Sequence, residues 1–246
     1  MPHPKVSIVV ATYDRLDHFR KLVESIRAAF PKESYEIIAV SSDPTHGEKM
    51  EWMVAQPDIN VVQAGTRMPG EPRKGSLYAF ENIGLKMANG EWIFVTNDDT
   101  EFDPFFYTVF VPMSDKWDVI MVNGHLGDVG LGCRTAVIGD ITPPGGFTRP
   151  LYLYDFTIIR KSVYETIGYL DENLDWFGKG FDLAMACETI PAPFSPRICY
   201  GSDLKVNHTI AAENRRPPHY ARDFQFATNK WKLFCNATGW KFTWPW

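Results

Sequence analysis

Three short apolar runs, each followed at once by a cluster of small polar and acidic residues, constrain this chain more than any other feature. Residues 6–11 (VSIVVA) run into Thr12-Tyr13-Asp14, residues 35–40 (YEIIAV) into Ser41-Ser42-Asp43, and residues 91–96 (EWIFVT) into Asn97-Asp98-Asp99. Runs this short and β-branched suit strands buried on both faces. Helical periods lie between them. Leu16, Phe19, Val23, Ile26 and Phe30 recur at spacings of three and four, which puts them on one helix face. Asp14 reads as that helix's N-cap, with Asp17 three residues on in a capping-box arrangement, and Pro31 as its stop. A short strand over 60–63 and a Gly/Pro/Arg/Lys-rich loop over 65–75 follow. Leu77, Phe80, Gly84 and Met87 mark the next helix, closed by Asn89-Gly90. Asp103 before Pro104 reads as the start of another. Residues 1–110 therefore read β-α-β-α-β-α-β, an α/β unit whose parallel sheet is covered by helices on both faces. Ligands of such sheets bind beyond the carboxyl ends of the strands, where all three polar clusters lie.

Residues 111–246 are less regular. A strand is expected over 119–122, a long functional loop over 124–150, a strand over 152–159 and a short helix over 161–168 ended by Gly168. Residues 181–188 and 219–234 read as helices. The tail 240–246 holds three tryptophans. No repeat or low-complexity segment occurs.

With 246 residues, 45% hydrophobic, the chain can bury one substantial core, and a single domain is expected. The net charge of -5 makes the whole chain a poor trap for nucleic-acid phosphates, although a local basic patch would suffice for such an acceptor. No run approaches the ~20 apolar residues of a membrane span. The N-terminus shows no signal-peptide pattern, so a cytoplasmic location is expected. None of the four cysteines (Cys133, Cys187, Cys199 and Cys235) forms a C-x-x-C pair, which argues against a zinc ribbon and for buried thiols.

Taken in order, VSIVVATYDR, EIIAVSSDP and ENIGLKMANGEWIFVTNDDTEFDP resemble the nucleotide-binding half of glycosyltransferase family 2, and IGYLDENLDWFGKGFDLAMA resembles its acceptor-side segment. The likeness covers roughly residues 5–190. It implies a GT-A fold: a Rossmann-like, mostly parallel central sheet, with residues 1–110 as the nucleotide-sugar half and an irregular acceptor-side region over 111–246. It implies transfer of a sugar from a nucleotide-diphosphate sugar, UDP-sugar favoured, to an acceptor hydroxyl with inversion.

The family's acidic D-x-D motif reads here as Asn97-Asp98-Asp99. A nucleoside diphosphate leaves readily only when its growing charge is neutralised, and hard ions such as Mn²⁺ or Mg²⁺ prefer carboxylate oxygens. The resemblance makes Asp99 the principal metal ligand, with Asp98 or Asn97 on the ribose or a metal-bound water, and His208 a further ligand. It places Thr12, Tyr13 and Asp43 on the base and ribose, and Asn82 where the family often has an Arg-Asn pair; the two guanidiniums of Arg215-Arg216 suit recognition of the donor diphosphate. The bland readings are a turn or cap for Asp98, Asp99 and Asp43, a structural histidine for His208, and a solvated charge pair for Arg215-Arg216. Two departures stand out. The residue before Asn82 is Glu81 where the family often has Arg. Lys179-Gly180 stands where the family has an acidic pair. The proton acceptor implied is then Asp182, with Asp175 as runner-up and Asp171 behind it. Asp182 also reads as a helix N-terminal residue. Trp176 and Gly178 are the acceptor-side candidates.

A non-catalytic nucleotide-sugar-binding protein of the same fold is the second reading, supported by Lys179-Gly180. A nucleotidyltransferase is a third, weakened by the lack of a Gly-rich phosphate loop after the first strand. A hydride-transferring Rossmann enzyme lacks its G-x-G-x-x-G there.

Overall fold

The structure is a computed structural model that describes residues 5–42, 47–65, 76–126, 137–152, 154, 156–175, 178–208 and 220–243. Asp43, Trp176 and Arg215 lie outside the described residues.

Four strands begin the chain's main sheet: β1 (Val6–Thr12), β2 (Tyr35–Ser41), β3 (Ile59–Gln63) and β4 (Trp92–Thr96). They pair in parallel in the order β3-β2-β1-β4. Between them run α1 (Leu16–Ala29), α2 (Glu48–Val54) and α3 (Leu77–Met87). The second half supplies β5 (Thr100–Phe102), α4 (Phe106–Ser114), β6 (Val119–Leu126), β7 (Val137–Thr142), β8 (Arg149–Tyr152), β9 (Thr157–Arg160), α5 (Lys161–Ile167), α6 (Lys179–Glu188), β10 (Ile198–His208), α7 (Tyr220–Thr238) and β11 (Lys241–Phe242). The main sheet continues β4-β9-β6-β10-β5, with β9 and β5 antiparallel to their neighbours. A smaller sheet runs β11-β7-β8.

The main sheet is curled. Four strand spacings separate β4 from β5, about 19 Å if the sheet were flat. Only the turn 97–99 joins them, and four residue steps reach at most about 14 Å. Curling brings the two strands close enough for that turn, and so folds β10 over it.

Each face of the sheet carries its own core. On one, Phe19, Leu22 and Ile26 of α1 pack with Met50 and Met53 of α2 and Phe106 and Phe110 of α4. On the other, Leu85 of α3, Tyr164 of α5, Phe181 and Met185 of α6 and Trp231 of α7 pack on Val9, Ile93 and Met121. The fold class is α/β with a mostly parallel sheet and helices on both faces.

Several local expectations need correction. Asp14 does not cap α1: it sits at φ 51, and Arg15 is the N-cap, with no side-chain capping bond. The helix expected at Asp103 starts at Phe106, because Asp103 accepts from the backbone N–H of Phe105 (2.8 Å) in a turn. The loop expected over 124–150 contains the end of β6, the strand β7 and the first half of β8. The strand expected over 152–159 divides between β8 and β9. The stop at Gly168 holds, with φ 82 in the left-handed region that suits glycine.

Candidate functional site

The C-terminal ends of β1 and β4 lie side by side, and the residues that leave them meet. Thr12 Oγ1 donates to Asp98 Oδ2 at 2.9 Å. Arg15, just before α1, reaches back with both terminal nitrogens, to Asp98 Oδ1 at 2.9 Å and to Asp99 Oδ2 at 2.9 Å. From α2, the buried Lys49 donates to Thr12 Oγ1 at 2.5 Å. The curl of the sheet brings in the end of β10, where His208 Nε2 lies 3.0 Å from Asp99 Oδ1 and 3.4 Å from Asn97 Nδ2. His208 stacks edge-on against Phe156, with ring centroids 5.3 Å apart.

The two carboxylates are buried but differ electrostatically. Burial pushes Asp98 up, against the pull of Arg15 and Lys49. Burial also works on Asp99, but the hydrogen bond and charge of His208, then Arg15, prevail and hold it below the usual carboxylate range. Asp99 is thus kept ionised with one oxygen toward a cation and the other toward an imidazole.

A carboxylate oxygen and an imidazole nitrogen 3.0 Å apart have the separation of neighbouring ligands on one octahedral ion with bonds of about 2.1 Å. Among the described residues no group of three or more His, Cys, Asp or Glu is placed to hold a metal. Asp99 and His208 are two adjacent donors of the kind a divalent ion takes.

Of the sequence-predicted residues, the structure gathers Thr12, Asn97, Asp98, Asp99 and His208. Asn82 is spent elsewhere: its amide donates to Leu170 O (2.9 Å) and Glu172 Oε1 (2.8 Å) and accepts from Leu170 N (3.0 Å), clamping α3 to the turn before Asp175. Asp175 lies on the same edge of the sheet. Its carbonyl accepts from Leu77 N at the start of α3 (3.1 Å), and its own N–H donates to Asp223 Oδ2 (3.1 Å). Gly178, at φ 84, is the N-cap of α6. Asp182, in the first turn of α6, accepts from Lys230 Nζ on both oxygens (2.8 and 3.1 Å) and from Trp231 Nε1 (2.7 Å). Burial raises its pKa against the pull of Lys230 and Trp231.

The two departures from the family pattern meet in space: Lys179 Nζ lies 2.9 Å from the buried carboxylate of Glu81, an ion pair that joins α6 to α3. Arg15 and Lys49 escaped the sequence reading. A lone cation on an amphipathic helix reads as solvated; the only signal was that Arg15 directly follows the first polar cluster.

No family model matches the chain. It is 26% identical over 232 residues to the O-antigen biosynthesis protein RfbC of Myxococcus xanthus, a match covering 85% of this chain and 18% of that protein. Its fold is similar to that of S. aureus TarS 1–349 in complex with UDP-GlcNAc, with TM-score 0.66 and 17% identity over 92% of this chain and 66% of that one. It is also similar to GalNAc-T7 solved with UDP, GalNAc and Mn²⁺, with TM-score 0.66 and 13% identity over 93% and 48% of the two chains. The chain spans less than a fifth of its curated relative. At these identities the likeness is one of fold: the chain has the GT-A fold of these glycosyltransferases.

Proposed function

We propose that this chain transfers a sugar from a UDP-sugar to an acceptor hydroxyl, with inversion, at the carboxyl edge of the main sheet. One observation carries the reading. Asp99 and His208, from opposite halves of the sequence, meet where a sheet of this fold binds its ligand. Asp99 and His208 would hold a divalent ion, Mn²⁺ or Mg²⁺, which when bound neutralises the charge growing on the departing diphosphate. Arg15 holds Asp98 and Asp99 in place through its two terminal nitrogens. The names of the relatives support the donor class: TarS is solved with UDP-GlcNAc and GalNAc-T7 with UDP, GalNAc and Mn²⁺. RfbC's name points to glycan synthesis.

The proton from the acceptor hydroxyl goes to a carboxylate. Asp182 and Asp175 are the two proposed. Asp182 has both oxygens taken up by Lys230 and Trp231 of α7, whereas Asp175, beside the start of α3 on the donor edge, meets α7 through the longer 3.9 Å contact with the half-exposed Arg222, which supports Asp175. The pair Glu81–Lys179 favours a second reading, a protein that binds the nucleotide sugar without turning it over, because it puts a cation at the head of α6 where an acid is wanted.

Titration with UDP-GlcNAc and other UDP-sugars, with and without Mn²⁺, tests both readings when binding and donor hydrolysis are followed together. The transferase reading expects metal-dependent binding that Asp99→Ala abolishes, and hydrolysis that falls about 100-fold or more in Asp175→Asn. Binding without turnover at any acceptor would select the second reading. No binding with or without metal would sink both.

A further inference from the structure

Away from the donor edge, the structure holds a cavity of about 660 Å³ between β8, the end of α6, residues 190–196 and the start of β10. That volume is in the range of small-molecule sites. Its lining includes an ion pair: Glu188, whose side chain is only 8% exposed, accepts from the half-exposed Arg149 and from the Tyr154 hydroxyl (3.3 Å). The lining also includes the aromatic rings of Tyr152, Tyr200 and Trp240 and the ring of Pro196.

The distance to the donor site is set by regular elements. Helix α6 has 10 residues between Lys179, at its head, and Glu188, and spans about 14 Å. Along the sheet, Tyr200 pairs with Met121 and His208 with Leu126, so about 16 Å of β6 separates the two levels.

The chemistry selects a class of ligand. Arg149 and Glu188 are the two charged residues in the lining and cancel, so there is no net charge to hold a phosphate or other anion. A lipid tail would leave the ion pair dry and unanswered, which is costly. A saccharide meets both demands: its hydroxyls donate to the carboxylate and accept from the guanidinium, and its C–H faces lie on aromatic and proline rings. We infer that the cavity between β8, the end of α6 and the start of β10 is a second saccharide site, which holds a neutral portion of a glycan acceptor one helix length from the point of transfer. The role as acceptor subsite rests on the transferase reading; the saccharide site itself does not.

Saturation-transfer NMR and calorimetry on the whole chain with maltotriose, chitotriose and mannotriose test it, with glucose 6-phosphate and a hexaproline peptide as competing chemistries. The expected result is binding of at least one neutral trisaccharide. Tyr200→Ala and Arg149→Met, both at half-exposed positions, should each weaken it about tenfold while UDP-GlcNAc binding in the same samples is unchanged. No trisaccharide binding, binding that both substitutions leave intact, or preference for the phosphate or the peptide overturns the inference. Trisaccharide binding with that pattern in a protein that binds no UDP-sugar would overturn the transferase reading and leave the saccharide site standing.

Discussion

Lys230 stands between two carboxylates, 2.9 Å from Asp171 and 2.8 Å from Asp182, and fastens α7 to the head of α6. Asp182 is buried, so removing the cation strands a charge. Lys230→Met is expected to cost about 3 kcal/mol in urea unfolding, and adding Asp182→Asn should recover part of that, because an amide needs no counter-charge. The double variant also separates two roles for Asp182. If stability returns and donor hydrolysis returns with it, Asp182 is a structural carboxylate; if hydrolysis stays lost, Asp182 takes the proton. Single residues were legible where their type is tied to a turn. The Asn97-Asp98-Asp99 cluster could be read as a turn because it directly follows the buried strand β4. The partners that complete it were not. Arg15 and Lys49 act through long side chains that fold back, and sequence position does not reveal where such a chain ends.

Glycine 84 shows how the elements set the site. A Cβ there would fall well inside van der Waals contact with Val9 Cγ1 and lie 3.1 Å from Val40 Cγ2. Helix α3 therefore rests directly on β1 and β2, and its start, with Asp175 beside it, is held to the carboxyl edge. Gly84→Ala is expected to destabilise by about 1–3 kcal/mol and to raise the KM for UDP-sugar more than Ala at an exposed helix position, since β1 carries Thr12. Unchanged stability and KM would show that α3 can lift off the sheet at no cost. The elements that sequence reasoning found are those with long clean periods: β1, β2 and β4 as apolar runs, α1 as an amphipathic stripe. Strand β10 was missed because Gly201-Ser202-Asp203 breaks it, where its register against β6 also shifts. Its second part alternates Leu204, Val206 and His208 as buried residues, a period of two that a shorter window would have caught. Strands β7 and β8 hid among glycines and prolines, because they form a small sheet that packs mainly through Ile141 and Leu151.

Across the whole molecule, buried and paired carboxylates pull the pH dependence of stability in opposite directions. At the amino edge of the main sheet Asp118 binds Arg197 and Arg160. The Arg197 hydrogen bond, opposed by burial, holds Asp118 below its ordinary value of 3.8. Asp58 is likewise held down by Arg27. A carboxylate lowered in the fold contributes stability above its unfolded pKa and loses it as pH falls through the folded one. Asp182 and Glu188 are the reverse: burial raises both, despite Lys230 and Arg149. Their protonated forms suit the fold, so stability is gained as pH falls through their folded values and is complete below the unfolded ones. From neutral pH downward, the second pair therefore acts first and the first pair last. Stability measured by urea unfolding from about pH 8 downward should pass through a maximum on the acid side of neutrality and then fall steeply below about pH 4. Asp118→Asn should flatten only the steep acid limb. Asp182→Asn with Glu188→Gln should move the maximum toward neutral pH. A curve that declines steadily from pH 7, in the parent chain and in both variants alike, would mean that the buried carboxylates of α6 do not carry the proton affinity their burial implies.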